Sequence, residues 1–275
     1  SGRRLTPKQV KLPSKAARPI PIGGFDHENV RSAAHGLSLN WPIAGDVIRG
    51  QDFDTWIRRS LNDEVILNNL NKAAGTAQAI QSSPKADDAR LVAKVVMALD
   101  TSGPVRHKGF ASHIDGIGPT LAVVFQDDIL RKQVEDLITS GILKQWLALQ
   151  GRVKTELMNT YGILEKIQTM VALPGPGFGI ERCLYELNPY GHCISPMIEH
   201  LYITQSSELI PALEAVAHDE NLPPMPIDRH VAAFLASHSE HIDERILRPL
   251  THKDNRPADE ALKVMRILAR VQSVY

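Results

Sequence analysis

Cysteine is nearly missing: Cys183 and Cys193 are the only two in 275 residues. That is too few for the disulfide framework of a small secreted domain. Long apolar runs are missing as well. No stretch of 18 apolar residues occurs and no signal-peptide core opens the chain, so neither a membrane-spanning helix nor a secretory leader is expected. These absences point to a cytoplasmic protein with no membrane partner. A nucleophile elbow, an H-E-x-x-H pair and the protein-kinase signatures are also absent, which removes the most legible classes of enzyme. Net charge is zero, so general capture of nucleic acid by a basic body is not expected.

What is present begins with an uneven placing of that charge. Residues 1–25 hold Arg3, Arg4, Lys8, Lys11, Lys15 and Arg18 with no acid, leaving 25 basic against 31 acidic residues in the remainder. Pro7, Pro13, Pro19 and Pro21 lie in the same stretch. The composition is that of a basic, proline-containing linker or tail. The chain opens Ser-Gly rather than Met, and is expected to be cut from a longer polypeptide. Apolar residues make up 43% of the chain, enough to exclude wholesale disorder.

From residue 26 onward the polarity pattern is helical. Asp26 is placed to cap a helix ended by Gly36, and Asp52 to cap one in which Phe53, Trp56, Ile57 and Leu61 share a face. Asn62 or Asp63 starts the next. Leu91, Val92, Val95, Val96 and Leu99 form an inward stripe, and Asp127-Asp128 opens a helix carrying Val134, Leu137 and Ile138. Asp228 caps a short apolar helix over 231–235, and Leu262, Met265, Leu268 and Val271 stripe the last one. Strand signals are few. The expectation is an all-α fold, an irregular multi-helix domain of about ten to twelve helices over 26–275, open to division into two packed helical halves near 172–178.

Near that division lies the densest run of Gly and Pro, Leu173 to His200. Gly175, Gly177, Phe178 and Gly179 read as a structural loop or hinge, because glycine permits positive φ and proline fixes it. Lys-Ser/Thr is missing, so it is not a P-loop. Beyond it, Ile180, Cys183, Leu184 and Leu187 fall at helical spacing, with Glu181 and Arg182 expected near the surface or paired.

Three other groups carry candidate chemistry. His113-Ile114-Asp115-Gly116-Ile117-Gly118-Pro119-Thr120-Leu121-Ala122 is similar to the hairpin of a helix-hairpin-helix DNA-binding element. Gly116 and Gly118 would offer backbone N–H groups to phosphate, with Arg106 and Lys108 upstream; Gly103-Pro104 and Gly109 weigh against the first helix that such an element needs. Cys183, His192, Cys193 and His200 are ligand types that suit zinc, though their spacing lacks the paired C-x2-C of structural sites. His230, His238 and His241, with Asp243 and Glu244 nearby, would suit a metal or acid–base set, while Asp228 reads first as a helix cap. Ser195, followed by Pro196, reads as a helix start. No cofactor is expected.

The motifs G-F-G-I-E-R-C-L-Y-E-L-N-P (177–189), C-I-S-P (193–196) and D-R-H-V-A-A-F-L (228–235) follow an order that resembles uncharacterised helical regions accompanying serine/threonine-kinase-like domains in large bacterial proteins. The resemblance runs from about Trp41 to Leu235 and assigns no chemistry to any residue. It implies a bacterial, multidomain parent and an accessory role. The expected function is therefore a non-catalytic helical interaction or regulatory module whose partner is another protein or a neighbouring domain. The rivals are a nucleic-acid module using 113–122 and a metal- or histidine-dependent enzyme using the C-terminal histidines.

Overall fold

Gly23 and Gly24 both take positive φ, 60° and 85°, as the turn of a two-residue hairpin requires. They fold Ile20–Ile22 (β1) back on Phe25–His27 (β2) in antiparallel register, with Ile22 opposite Phe25. A computed structural model of the chain describes residues 13–150, 155–218, 225–252 and 256–274. Within them the protein is mostly helical, at 67%. The chain divides into two units, one of residues 1–113 with 145–152 and the other of 114–144 with 153–275. The division expected near 172–178 is not where these units part.

In the first unit the hairpin is followed by α1 (Val30–Leu39), α2 (Trp41–Arg49), α3 (Gln51–Thr55), α4 (Glu64–Ala74), α5 (Ala77–Gln81) and α6 (Asp88–Leu99). A second hairpin, β3 (Val105–His107) and β4 (Phe110–Ser112), comes last. Asn29 rather than Asp26 caps α1, accepting from the backbone N–H groups of Arg31 and Ser32, since Asp26 is engaged in β2. Asp63 caps α4 in the same way. Helix α6 carries the expected stripe, and Leu91, Val92, Val95, Val96 and Leu99 are all buried against α1, α2 and α4. Between α3 and α4 the chain widens into a π-helical turn, Trp56–Leu61, which Asn62 ends with φ 48°.

Two expectations change here. The class is helical but not all-α: the second hairpin turns on Lys108 and Gly109, both at positive φ, as the first does on its glycines. Residues 13–25, read as linker, contribute Ala16, Ile20 and Ile22 to the core. Backbone hydrogen bonds Ala16 N to Glu28 O (2.7 Å) and Ala17 N to Ser60 O (2.8 Å) pin them, and the Trp56 indole donates to Arg18 O at 2.9 Å. Residues 1–12 of the expected tail lie outside the described residues.

The second unit contains α7 (Ile117–Val124), α8 (Asp128–Thr139), α10 (Thr155–Met170), α11 (Gly179–Leu187), α12 (Leu209–Val216), α13 (Arg229–His238), α14 (Glu244–Leu247) and α15 (Pro257–Val274). Helix α9 (Ile142–Leu149) bridges the sequence boundary at residue 145. Thus fifteen α-helices occur among the described residues, several of a single turn. Asp127 caps α8 and Asp228 caps α13. Helix α11 lies at the centre of this unit, packed on α13, α10 and α7. No helix among the described residues is long and apolar enough to cross a membrane.

Candidate functional site

The polar groups of the second unit converge on the contact between α11 and α13. Asp228 caps α13 through the N–H of Val231 at 2.8 Å, and its other oxygen accepts from the hydroxyl of Ser195 at 2.7 Å. Ser195 is fully buried, and its hydroxyl also receives the N–H of Met197. One cap therefore ties the Cys193–Pro196 turn to the helix. The Tyr185 hydroxyl, reaching out of α11, accepts the N–H of Ile194 at 3.1 Å and lies 3.2 Å from His230 Nδ1. Around it the rings of Phe234 and His238 stack at 4.3 Å. Burial raises the Tyr185 hydroxyl well above its ordinary value and lowers both His230 and His238, overriding the carboxylates near them.

A second network surrounds Arg182, which is 2% exposed rather than at the surface. Its guanidinium donates to Glu186 Oε1 at 2.6 Å, and that oxygen also takes Lys166 at 2.7 Å and Ser237 at 3.2 Å. Glu244 stands 3.9 Å away on another side. Glu181, one residue earlier, holds Arg229 through two bonds of 2.8 and 3.0 Å. A buried arginine requires such partners, because an unpaired buried charge is costly.

The sequence-derived candidates distribute as follows. Arg106 lies in β3 and Lys108 in its turn, in the first unit, whereas Gly116 and Gly118 belong to the second. Gly118 is buried where α7 meets α11: a Cβ there would stand 2.5 Å from Leu187 O, and its own carbonyl accepts from Asn188 at 2.9 Å. The glycine is used for helix packing. Of the zinc candidates, Cys183 donates to Ile167 O at 3.4 Å, Cys193 lies 4.0 Å from the Tyr185 hydroxyl, and His192 stacks on Tyr202 at 4.1 Å. His200 is exposed on a 3₁₀ turn. No three His, Cys, Asp or Glu side chains surround a common point among the described residues. Burial pushes both thiols up to about 12. His230 and His238 meet around Tyr185, while His241 sits apart in the exposed loop before α14.

The Gly/Pro loop does something the sequence did not reveal. Gly175, Gly177 and Gly179 all have positive φ, of 102°, 83° and 77°. A Cβ on Gly175 would lie 2.7 Å from Thr251, and one on Gly177 2.9 Å from the Leu247 side chain. The loop backbone thereby lies directly against α14 and the 3₁₀ turn Arg248–Thr251. Between them runs a cleft of about 470 Å³, with Leu173, Pro174 and Phe178 on one wall and Glu244, Arg245, Arg248, Thr251 and His252 on the other. That volume is within the range of sites that hold a small ligand or a few side chains.

No known family model, curated protein or solved structure matches this chain. The site is read from its own geometry.

That geometry separates two layers. In one, Tyr185 meets Cys193, His230 and His238 and Ser195 bonds Asp228, joining α11 to α13, while Cys183 bonds the Ile167 carbonyl of α10. Ser195 is bonded to the Asp228 carboxylate and not to an imidazole, an arrangement that differs from a serine triad. In the other, the cleft presents aliphatic and aromatic groups on one wall and guanidinium, carboxylate, hydroxyl and imidazole groups on the other. Sequence reasoning marked Gly175, Gly177, Phe178 and Gly179 as a structural loop from their Gly/Pro density and did not connect them with residues 244–252, because no local pattern links the two stretches.

Proposed function

We propose that this chain is a non-catalytic helical interaction or regulatory module of a larger bacterial protein, acting on a neighbouring domain or another protein. The reading is consistent with the resemblance to helical regions beside serine/threonine-kinase-like domains. The observation that carries it is the inward commitment of the reactive groups: Ser195 is fully buried on Asp228, and Cys183 and Cys193 are buried with raised pKa values. A thiol held at about 12 is unreactive near neutral pH. Large apolar side chains face outward instead, among them Val123, Ile129 and Met265.

The test has two arms. The native chain is treated with a fluorophosphonate and with iodoacetamide, and it is titrated calorimetrically against the separately produced remainder of its parent polypeptide. Saturable binding with Ser195, Cys183 and Cys193 unlabelled is the expected result. Stoichiometric labelling of any of the three in the folded chain, without binding, would replace this reading with an enzymatic one.

A further inference from the structure

We infer that the cleft between the Gly/Pro loop and α14 is a docking groove for an acidic peptide segment that carries one large apolar anchor residue. The inference rests on the interaction-module reading and names the chemistry of the partner.

The apolar wall is preformed. Phe178 is 9% exposed and fixed by its place before α11, while Leu173 at 40% still offers surface to an incoming side chain. Gly175 and Gly177 hold this wall at backbone contact with the opposite side, so the groove does not depend on flexible side chains for its width. A rigid groove limits the ordering cost of binding. Its 470 Å³ accommodates an aromatic or branched aliphatic side chain with the adjoining backbone.

The charge on the other wall selects the flanking residues. Glu244, Arg245 and Arg248 sum to one positive charge. Glu244 is already faced from behind by buried Arg182, which offsets its field at the groove. Arg245 is 94% exposed, with only a loose 3.9 Å pairing to Asp243, a geometry worth little in water. Arg248 is exposed and makes no ion pair with any described residue. Two guanidiniums beside an apolar slot match carboxylates on either side of an apolar anchor, since guanidinium and carboxylate pair in a two-bond fork. The acidic excess of residues 26–275 disfavours acidic ligands elsewhere on the surface, so the preference is local to this groove.

The experiment is selection of a displayed random peptide library on the intact chain, with enriched peptides resynthesised and measured by fluorescence polarisation. The expected winners place Asp or Glu around Trp, Phe or Leu, and bind about ten-fold or more weakly to R245E/R248E. Both positions are solvent-exposed, and circular dichroism and the thermal midpoint of the variant verify its fold. Phe178→Ala is the second probe and should weaken the same peptides, while leaving any peptide bound elsewhere untouched. Winners that are basic or uncharged, or whose affinity survives R245E/R248E, would overturn the groove assignment yet leave an interaction module standing. Self-association of the chain that R245E/R248E abolishes would instead make a second copy the occupant and sink the peptide proposal. A selection with no winners would overturn it too, and calorimetry against the parent's remaining domains then decides the broader reading separately.

Discussion

At Gly177 the backbone conformation and the space around it give the same instruction. Its φ of 83° disfavours any side chain, and an added Cβ would approach Leu247 to 2.9 Å and Ala232 O to 3.7 Å. Gly177→Ala should therefore cost about 1–3 kcal/mol, from backbone strain and displaced packing together. The denaturant midpoint measures it; an unchanged midpoint would mean that the loop rearranges freely and does not set the width of the cleft. At this scale the sequence was a partial guide. Glycine density marked 175–179 as unusual, and Asp63, Asp127 and Asp228 were readable as caps because capping depends on neighbours two or three residues away. Arg182 was not readable as buried. Its burial depends on Lys166, Ser237 and Glu244, which sequence distance hides.

Among the elements, α11 has the most to lose. Cys183, Leu184 and Tyr185 are all buried, and the helix packs on three others. Leu184→Ala removes a side chain that is 3% exposed and should lower stability by about 2–5 kcal/mol, the range for a large-to-small change in a core. Equilibrium unfolding in urea reads this directly, and a loss below about 1 kcal/mol would show that α11 is peripheral. Helices of this kind were legible because the 3.6-residue period survives in α6 and α8 as buried stripes. In α15 the buried stripe is Val264, Ile267 and Val271, so of the expected set only Val271 is buried while Leu262 and Met265 are exposed. The hairpins were not legible. Each strand has three residues, too short to show alternation, and Pro21 lies within the first. The remaining signals, Gly23-Gly24 and Lys108-Gly109, are turn signals that a helical context obscured.

For the whole molecule, the half-buried imidazoles of His230 and His238 couple stability to acidity. Burial lowers His230 and His238 from the ordinary 6.5, with Asp228 and Glu181 opposing this for His230, and the Phe234 and Pro189 carbonyls and Glu186 for His238. The unfolded chain therefore takes up these protons at higher pH than the folded one. Their effect on stability is absent well above pH 6.5 and grows as the pH falls below it, down through the folded-state values. Thermal midpoints measured from about pH 7.5 down to about pH 5 should decline across that window, and the decline should be shallower in a His230→Gln/His238→Gln variant. An identical slope in the double variant would assign the acid sensitivity to other groups.

The π-helical turn at Trp56–Leu61 has a consequence for how the gene can vary. A π turn is an α-helix with one residue to spare, and the carbonyl of Ser60, left over in its last turn before Asn62, receives Ala17 N–H. Deleting Arg59, which is exposed, should restore α-helical pitch and turn that carbonyl by about 100° around the helix axis, away from Ala17. The helix would then be more regular, while residues 16–18 would lose one of their fastenings. Single-codon loss at this point would thus uncouple two things that ordinarily travel together: a better-formed helix and a better-anchored chain.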